Sequence, residues 1–268
     1  MRGLIQSISA ILMNGQIAGF LTGRIYTGKS KTFCVPGMNC YSCPGAVGSC
    51  PIGALQAVVG SLKYSYSLYI MGFIMMIGSL SGRFVCGWIC PFGLFQDVLS
   101  KIPSPKWKLP KWTAYLKYVS LLMVVIGPLI IVNKIGMGTP VFCKWICPVG
   151  TIEGGVPLTI MQPALRAQFG FLFGWKMMIA VLVIIMSVVS YRPFCKVLCP
   201  LGLILGWFNR ISIIKLHVNH ENCTSCGLCE KACPIELNPV EETTSIECIR
   251  CMKCKNACCN GSIELSMK

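Results

Sequence analysis

The sequence predicts an α-helical integral membrane protein of about four transmembrane helices, followed by a small C-terminal α+β domain. Hydrophobic residues make up 54% of the 268 residues and charged residues only 12%, whereas soluble domains carry about 25% charged residues. Apolar stretches close to the ~20 residues that cross a bilayer recur along the chain. A polar, cysteine-rich segment follows them, so we predict a transmembrane domain at 1–215 and a second domain at 216–268.

Three stretches have the length and composition of membrane spans, and a fourth has them in part. The three are 65–81, 115–133 and 175–191, and the fourth is 3–21. The fourth is mostly apolar but contains Gln6, Asn14 and Gln16. An amphipathic helix on the membrane surface is therefore the alternative for it.

The polar segments between the spans alternate across the membrane. If all four stretches cross, 22–64 and 134–174 lie on one side, side B, and 82–113 and 192–268 lie on the other, side A. Basic residues favour side A, with Arg83, Lys101, Lys106, Lys108, Lys111, Arg192, Lys196, Arg210 and Lys215. Because short cytoplasmic segments are enriched in Lys and Arg, we predict a multi-pass protein of the cytoplasmic membrane with its C-terminal domain in the cytoplasm.

Nineteen cysteines against two histidines indicate metal-sulfur chemistry. In a long membrane chain so many thiols favour metal ligands over the disulfide frameworks of short secreted domains. Both histidines, His217 and His220, follow the last span, so none can hold a haem inside the membrane. The sequence predicts iron-sulfur clusters and no haem. The formal net charge of +15 overstates the true charge, since thiolate-bound clusters are anionic, and nucleic-acid binding is not predicted.

The C-terminal cysteines have the spacing of a two-cluster bacterial ferredoxin. Two Cys-x2-Cys-x2-Cys-x3-Cys runs follow one another, and in such pairs the last cysteine of each run ligates the other cluster. One [4Fe-4S] cluster is predicted on Cys223, Cys226, Cys229 and Cys258, and another on Cys248, Cys251, Cys254 and Cys233. Cys259 replaces the usual proline and is a spare or a competing ligand. The alternative, a zinc ribbon, has a longer spacer between its cysteine pairs.

A second pattern, Cys-x3-Cys-Pro-x-Gly, follows the apolar stretches. It occurs as CGWICPFG at 86–93, CKWICPVG at 143–150 and CKVLCPLG at 195–202. Cysteines four apart on a helix point in one direction, and proline is expected to end that turn, so one unit offers two thiolates. The alternation of sides predicts a cluster on Cys86, Cys90, Cys195 and Cys199 at side A. The alternative is that these cysteines are small buried residues.

The remaining unit, Cys143 and Cys147, needs partners on side B. The segment 34–53 offers Cys34, Cys40, Cys43 and Cys50, so six thiols are available for four positions. The match of CPIGALQ at 50–56 with CPFGLFQ at 90–96 suggests a duplicated unit. We predict a [4Fe-4S] cluster here as well, which makes four in all, and disulfides in an oxidising compartment are the alternative.

Together, the two cysteine patterns resemble the polyferredoxin-like 4Fe-4S membrane proteins of the NapH and NosR type, from about residue 65 onward. That family accompanies nitrate and nitrous-oxide reductases, and its Cys-x3-Cys-Pro units lie on the cytoplasmic side with the ferredoxin domain. The resemblance implies electron transfer between the cytoplasm, the membrane and an extracytoplasmic partner. The additional side-B cysteines depart from the family pattern.

These features predict an electron carrier in the lipid membrane. Its expected donor is a cytosolic ferredoxin or flavoprotein, and its expected acceptor is an extracytoplasmic flavoprotein or reductase. Two alternatives remain, a subunit that reduces a bound quinone at side A, and a redox-sensing assembly or regulatory factor for a metalloenzyme. Clusters at opposite faces would be separated by up to the ~30 Å hydrocarbon core, so the clusters lie toward the midplane or another cofactor bridges them.

Overall fold

The computed structural model describes residues 1–61, 68–133, 136–166 and 170–267, which are mainly helical. The α-helices, numbered in chain order, are α1 Arg2–Met13, α2 Ile17–Thr22, α3 Pro51–Gly60, α4 Tyr69–Ser81, α5 Phe84–Trp88, α6 Pro91–Leu99, α7 Leu116–Val125, α8 Gly127–Ile130, α9 Val141–Trp145, α10 Val156–Met161, α11 Pro163–Arg166, α12 Phe171–Val189, α13 Pro193–Val197, α14 Pro200–Trp207, α15 Leu228–Lys231 and α16 Lys253–Ala257. The strands are β1 Ile214–Val218 and β2 Ile263–Met267. Short 3-10 turns cover Lys29–Thr32, Lys111–Tyr115 and Phe208–Arg210, and a π-helical turn covers Gly150–Gly155.

Two helical segments in the described residues are long and apolar enough to cross a membrane. Lys111–Ile130 has 20 residues and includes α7 and α8, and Phe171–Val189, which is α12, has 19. Most residues of both segments are left uncovered by the rest of the chain. The predicted spans 115–133 and 175–191 correspond to these helices, each of which begins four residues earlier than predicted.

The other two predicted spans contain shorter helices. α4 has 13 residues, a length of about 20 Å at 1.5 Å per residue, and residues 65–67 of the predicted span lie outside the described residues. The stretch 3–21 is two helices, because α1 ends at Met13. There the Asn14 amide donates to the Ala10 carbonyl, and the N–H of Gln16 donates to the Gly45 carbonyl. The polar residues of this stretch therefore bind protein and interrupt the helix.

The helices pack around one apolar core. α3 contacts α4, α7 and α8, α6 contacts α1 and α12, and α14 contacts α4 and α7. Three fully buried phenylalanines, Phe92, Phe142 and Phe194, lie in this core. The rings of Phe92 and Phe194 meet edge to face with centroids 5.1 Å apart. Phe142 and Phe194 each precede a cysteine of a Cys-x3-Cys-Pro unit, so packing of the core fixes the position of those cysteines.

The C-terminal segment forms a two-stranded antiparallel sheet with its cysteine loops beside it. Leu216 of β1 is opposite Leu265 of β2. The segment lies directly on the helical part, since the indole N–H of Trp88 donates to the Arg250 carbonyl at 3.0 Å. The buried Arg250 guanidinium donates in turn to the Asn209 carbonyl at 2.8 Å.

A buried ion pair joins α6 to the chain at α13. The Asp97 carboxylate accepts hydrogen bonds from Arg192 Nε at 2.7 Å and Nη2 at 2.6 Å, and Arg2 of α1 pairs with the same carboxylate. Burial raises the pKa of Asp97, but the bonds from Arg192 and the charge of Arg2 outweigh it, so the pKa lies below its ordinary value. The Arg192 side chain is fully buried, so this carboxylate is its main charge partner.

Replacing Asp97 with Ala should destabilise the protein by about 3–5 kcal/mol, because it leaves the Arg192 charge buried without its partner. Thermal unfolding of the detergent-solubilised protein measures the loss. The control is Glu236→Ala, which breaks the more exposed 3.4 Å pair between Lys196 and Glu236 and should cost about 0–1 kcal/mol. Equal losses in the two variants would contradict the structural role of Asp97.

Candidate metal centres

Each Cys-Pro-x-Gly sequence begins a helix. Cys50, Cys90 and Cys199 are the N-cap residues of α3, α6 and α14, with proline in the first turn. Proline favours this position because its missing N–H needs no partner there. The helix that carries the first cysteine does end before the proline, as expected, since α5 ends at Trp88 and α13 at Val197. The expectation that both cysteines of a unit lie on one helix is wrong. Cys86 lies inside α5, whereas Cys90 lies between α5 and α6 in an extended conformation.

The N-cap cysteines receive hydrogen bonds at sulfur. In each unit the backbone N–H of the glycine three residues later donates to the cysteine. The pairs are Gly53 with Cys50, Gly93 with Cys90, Gly150 with Cys147, and Gly202 with Cys199, the last at 3.3 Å. Free N–H groups and the dipole at a helix N-terminus stabilise negative charge. The Cys-Pro-x-Gly sequence thus provides a hydrogen-bond donor that stabilises a thiolate inside an apolar core.

Four buried cysteines meet at the site that we call the side-A site, which consists of Cys86, Cys90, Cys195 and Cys199. Burial raises the pKa of Cys90 to about 12, and the neighbouring Cys195 and Cys86 add to the rise. Burial also raises the pKa of Cys199, and Cys195, Cys86 and Cys90 act on it in the same direction. The structure therefore brings together the four cysteines that the sequence predicted at side A.

Two buried arginines, which the sequence analysis missed as site residues, bind across the side-A site. Arg83 Nη2 donates to the Cys195 carbonyl at 3.2 Å, and Arg192 Nη1 donates to the Cys86 carbonyl. Each arginine stands three residues before the first cysteine of its own unit and binds the other unit. The sequence marks these arginines through the shared pattern Arg-x-x-Cys, which occurs as RFVC and RPFC in the two side-A units. The third unit has PVFC at the same place.

Two glutamines repeat one arrangement at two sites in the helical part of the chain. Gln96 Nε2 donates to Cys195 Sγ at 3.3 Å, and its Oε1 accepts from the Phe194 N–H at 3.2 Å. In the other half of the chain, Gln56 Nε2 donates to Cys143 Sγ at 3.0 Å, and its Oε1 accepts from the Phe142 N–H. Both glutamines lie six residues after an N-cap cysteine, at the end of the repeated CPxGxxQ sequence. The contacts support the duplication that the sequence suggests.

The second site in the helical part, which we call the side-B site, consists of Cys40, Cys50, Cys143 and Cys147, which line one cavity of about 510 Å³. Burial raises the pKa of Cys147, and Cys143, Cys40 and Cys50 each raise it further. Four of the six available thiols are thus neighbours. The unit 143–150 meets the segment 34–53, as the sequence predicted.

The other two side-B cysteines lie apart from that cavity. The backbone of Cys34 pairs with Ser49, and its N–H donates to the Tyr69 hydroxyl at 3.3 Å. Cys43 Sγ donates to Asn14 Oδ1 at 3.5 Å. These contacts give Cys34 and Cys43 roles in holding the segment 34–53 in place.

Charged groups at the side-B site differ from those at the side-A site. Lys176 lines the cavity, and its Nζ donates to the Cys143 carbonyl at 3.3 Å. The backbone N–H of Cys40 donates to Glu153 Oε2 at 2.8 Å, and burial raises the pKa of Glu153 to about 8. Neither residue belongs to a repeated motif, so the sequence pattern does not mark either of them as a site residue.

The C-terminal cysteines line two further cavities. The first ferredoxin site has a cavity of about 210 Å³ lined by Cys223, Cys226, Cys229 and Cys258, with Cys259 also in its wall. The second ferredoxin site has a cavity of about 30 Å³ lined by Cys233, Cys248, Cys251 and Cys254. These are the crossed groupings that the spacing predicts. Cys226 of the first site is exposed, and Cys254 of the second is buried.

The donor sets fit [4Fe-4S] clusters, which are held by four cysteine thiolates. All nineteen cysteines are free thiols, and sixteen of them form the four groups above. Within the described residues, no three Cys, His, Asp or Glu side chains are placed to hold a single metal ion. Buried thiols of raised pKa stay protonated until a metal displaces the proton, so cluster binding would be coupled to proton release.

Two family models match the chain, and both are described as a 4Fe-4S binding domain. One matches residues 66–110, 119–156 and 172–219, each of which contains one Cys-x3-Cys-Pro unit, and the other matches residues 216–236. No solved structure matches the chain.

Several curated proteins are similar over most of the chain. An uncharacterized protein of Methanocaldococcus jannaschii is 30% identical over 202 residues, which cover 72% of this chain and 68% of the relative. The putative electron transport protein YccM of Escherichia coli is 25% identical over 80% of this chain and 62% of its own length. The ferredoxin-type protein NapH of the same organism is 24% identical over 78% of this chain and 71% of its own length. The chain therefore belongs to the polyferredoxin-like 4Fe-4S protein family of the NapH/NosR type.

Proposed function

We propose that the chain is a membrane iron-sulfur carrier that moves electrons from a cytosolic donor to an extracytoplasmic acceptor. The observation that carries this proposal is the presence of four groups of four cysteines in one chain, two of them inside its apolar core. When bound, [4Fe-4S] clusters supply one-electron redox chemistry. The relatives named as electron transport and ferredoxin-type proteins support the same conclusion.

The membrane arrangement belongs to this proposal. Residues 1–215 form the transmembrane domain, and residues 216–268 form a cytoplasmic ferredoxin domain. The two long helices cross fully, while α1 and α4 cross in part and are continued by irregular backbone. Such backbone is tolerated at membrane depth where protein buries it, and the buried Met38 and Asn39 meet that condition. The excess of Lys and Arg in the side-A segments supports a cytoplasmic side A.

Contacts between the sites support an order for electron flow. The first ferredoxin site lies at the surface, where a soluble ferredoxin or flavoprotein can donate. The second lies against the side-A site, because a Cβ at Gly87 would be only 2.4 Å from the Ile249 carbonyl oxygen. Gly87 adjoins Cys86, and Ile249 adjoins Cys248. Arg83 strengthens this junction with a 2.7 Å hydrogen bond to the Ile246 carbonyl. Electrons then leave from the side-B site to a flavoprotein or reductase.

The residues around each membrane site would offset the negative charge of four thiolates. At the side-A site, the buried Arg83 and Arg192 contribute positive charge. At both sites, glutamine and glycine N–H groups donate to sulfur. Hydrogen bonds to sulfur, net charge and burial are the factors that set the potential of such sites.

A second candidate function, quinone reduction, is favoured by the size of the side-B cavity. It is more than twice as large as the cavity of the first ferredoxin site, and its wall includes apolar residues such as Ala54, Ala57 and Val149. An apolar ligand would fit such a wall beside a cluster. A requirement for added quinone in the vesicle assay below distinguishes this function from direct transfer to an outer acceptor.

Iron analysis tests the side-B ligand set. The anaerobically purified protein should contain roughly sixteen irons per chain, four for each [4Fe-4S] cluster. Cys143→Ala or Cys40→Ala should lower the content to roughly twelve and leave the ferredoxin signals in the reduced EPR spectrum intact. Cys43→Ala is the matched control and should keep the full content. Loss of one cluster in Cys43→Ala and none in Cys40→Ala would show that the assignment is wrong.

Vesicles test the direction of transfer. Protein is reconstituted without quinone so that its ferredoxin domain faces outward, with a membrane-impermeant one-electron oxidant enclosed. Reduced ferredoxin added outside should reduce the enclosed oxidant, and Cys226→Ala or Cys143→Ala should abolish most of this rate while Cys43→Ala keeps it. If the wild-type protein leaves the oxidant unreduced until quinone is added, quinone reduction replaces the carrier function.

The paired glutamines provide a test of how each site is tuned. Gln96→Leu should lower the reduction potential of the side-A site alone, and Gln56→Leu that of the side-B site alone, because each removes one donor to sulfur. We expect shifts of tens of millivolts, since about 59 mV corresponds to 1.4 kcal/mol for one electron. Redox titration followed by EPR measures both signals, and each variant serves as the control for the other. A shift of both signals in either variant would contradict separate tuning.

A further inference from the structure

One short segment of the chain contacts both membrane sites. Met38 is only 2% exposed, and its side chain lines the side-B cavity with Sδ 4.0 Å from Cys50 Sγ. Its backbone N–H hydrogen-bonds to the sulfur of Cys90, which belongs to the side-A site. A single residue therefore touches a cysteine of each site.

The preceding residue brings the backbone against the side-A site. A Cβ at Gly37 would lie 2.9 Å from the Cα of Cys90 and 3.2 Å from the Cδ of Pro91. The first distance is to backbone, which cannot move aside as the end of a flexible side chain can. Only glycine allows the segment to approach Cys90 this closely.

The following residues lead to the side-B site. Asn39 is fully buried, and its Nδ2 donates to the Met13 carbonyl at 3.3 Å. Cys40 comes next and is itself one of the four side-B cysteines, held through its N–H by Glu153. From Cys90 the connection to Cys40 thus consists of one hydrogen bond and the backbone of three consecutive residues. The contact between Met38 and Cys50 is a second, shorter connection.

We propose that the segment 37–40 is the electron bridge between the two membrane sites, with Met38 as its central residue. This inference rests on the proposed carrier function. With clusters bound to both cysteine sets, the step would move one electron from the side-A site to the side-B site, and no bond or proton would be exchanged. A low-potential cytosolic reductant supplies the electron, and the outer acceptor removes it.

The bridge makes a further cofactor between the sites unnecessary. The two sites share a contact residue and one apolar core, so they are not separated by the full hydrocarbon thickness. The polarizable thioether of Met38 lies against Cys50 at 4.0 Å, while its backbone lies against Cys90. Met38 is a positioning and coupling residue here, since its backbone donates to one cysteine and its side chain packs on another.

The test compares three variants of the full-length protein. Met38→Ala removes the contact with Cys50, Gly37→Ala forces the segment away from Cys90, and Met38→Leu is the control that keeps the packing volume. Electrons are delivered rapidly from photoreduced flavin through the ferredoxin sites. Freeze-quench EPR then follows the signals of the side-A and side-B sites separately, and iron content is measured in parallel.

We expect wild-type iron content in all three variants and wild-type reduction of the side-A site in Met38→Ala and Met38→Leu. Gly37→Ala should also lower the side-A potential, because it weakens the hydrogen bond from the Met38 N–H to the Cys90 sulfur. The side-B signal should appear at least several-fold later in Met38→Ala and Gly37→Ala and close to the wild-type time in Met38→Leu. If Met38→Ala loses iron, Met38→Val, which shortens the side chain less, provides the same comparison. An unchanged side-B rate in a fully loaded Met38→Ala or Met38→Val variant would overturn the bridge.

A second readout separates failure of the bridge from failure of the carrier function. In protein that is fully reduced by a chemical reductant, neighbouring paramagnetic clusters split each other's EPR lines. The splitting between the side-A and side-B signals should be present in the wild type and weaker in Gly37→Ala. This result does not depend on which donor reduces the protein. Splitting without reduction of the side-B site through the ferredoxin domain would refute the carrier function alone. Absence of splitting in the wild type would refute the bridge.

Discussion

The hydrogen bond from a helix N-terminus to a cysteine sulfur is the interaction on which the helical part of the chain depends. Four thiolates placed in an apolar core are unstable unless donors compensate their charge. The Cys-Pro-x-Gly sequence provides one donor at each unit, because the cysteine caps a helix whose first N–H groups are free. The same geometry sets the direction of the helix that follows. Ligand position and helix direction are therefore determined by one local feature of four residues.

Duplication of this feature explains how two sites arise in one core. In each half, the glutamine at the end of CPxGxxQ binds the first cysteine of the partner unit and the N–H before it. At the side-A site, both units also carry an arginine that binds the other unit. At the side-B site, one unit is replaced by the irregular segment 34–50. Pro140 stands at the position of the arginine there, Lys176 lines the cavity, and the buried Glu153 is added. The two halves thus share the hydrogen bonds from glutamine to cysteine sulfur and differ in the charged side chains around the cysteines.

Sequence spacing predicts those groups of cysteines whose members come from repeated, closely spaced motifs. The crossed ferredoxin groupings follow from the spacing of the two cysteine runs, and the prediction that the two side-A units meet followed from the expected alternation of spans. The choice among six side-B thiols could not be predicted, because it depends on tertiary contacts such as those of Asn14 with Cys43 and Tyr69 with Cys34. That the same proline also begins the next helix could not be predicted, because helix-ending and helix-starting prolines look alike when the next helix is short. The arginines were counted only as topology signals, although their burial shows that they belong to the site.

The interruption of the first span has a physical reason that also bears on the depth of the sites. Gln6 of α1 is fully buried and donates to the Cys90 carbonyl at 3.3 Å, and Ser9 donates to the Ile89 carbonyl at 3.1 Å. A polar side chain in lipid would lack such partners, so these residues hold α1 against the side-A site. The helix then ends at Met13, whose carbonyl accepts from Asn39 and Val47 of the side-B segment. One helix of 12 residues, about 18 Å long at 1.5 Å per residue, therefore reaches from one site to the other. Because that length is well below the ~30 Å hydrocarbon core, the contacts of α1 place the two sites closer together than the two faces of a bilayer would be.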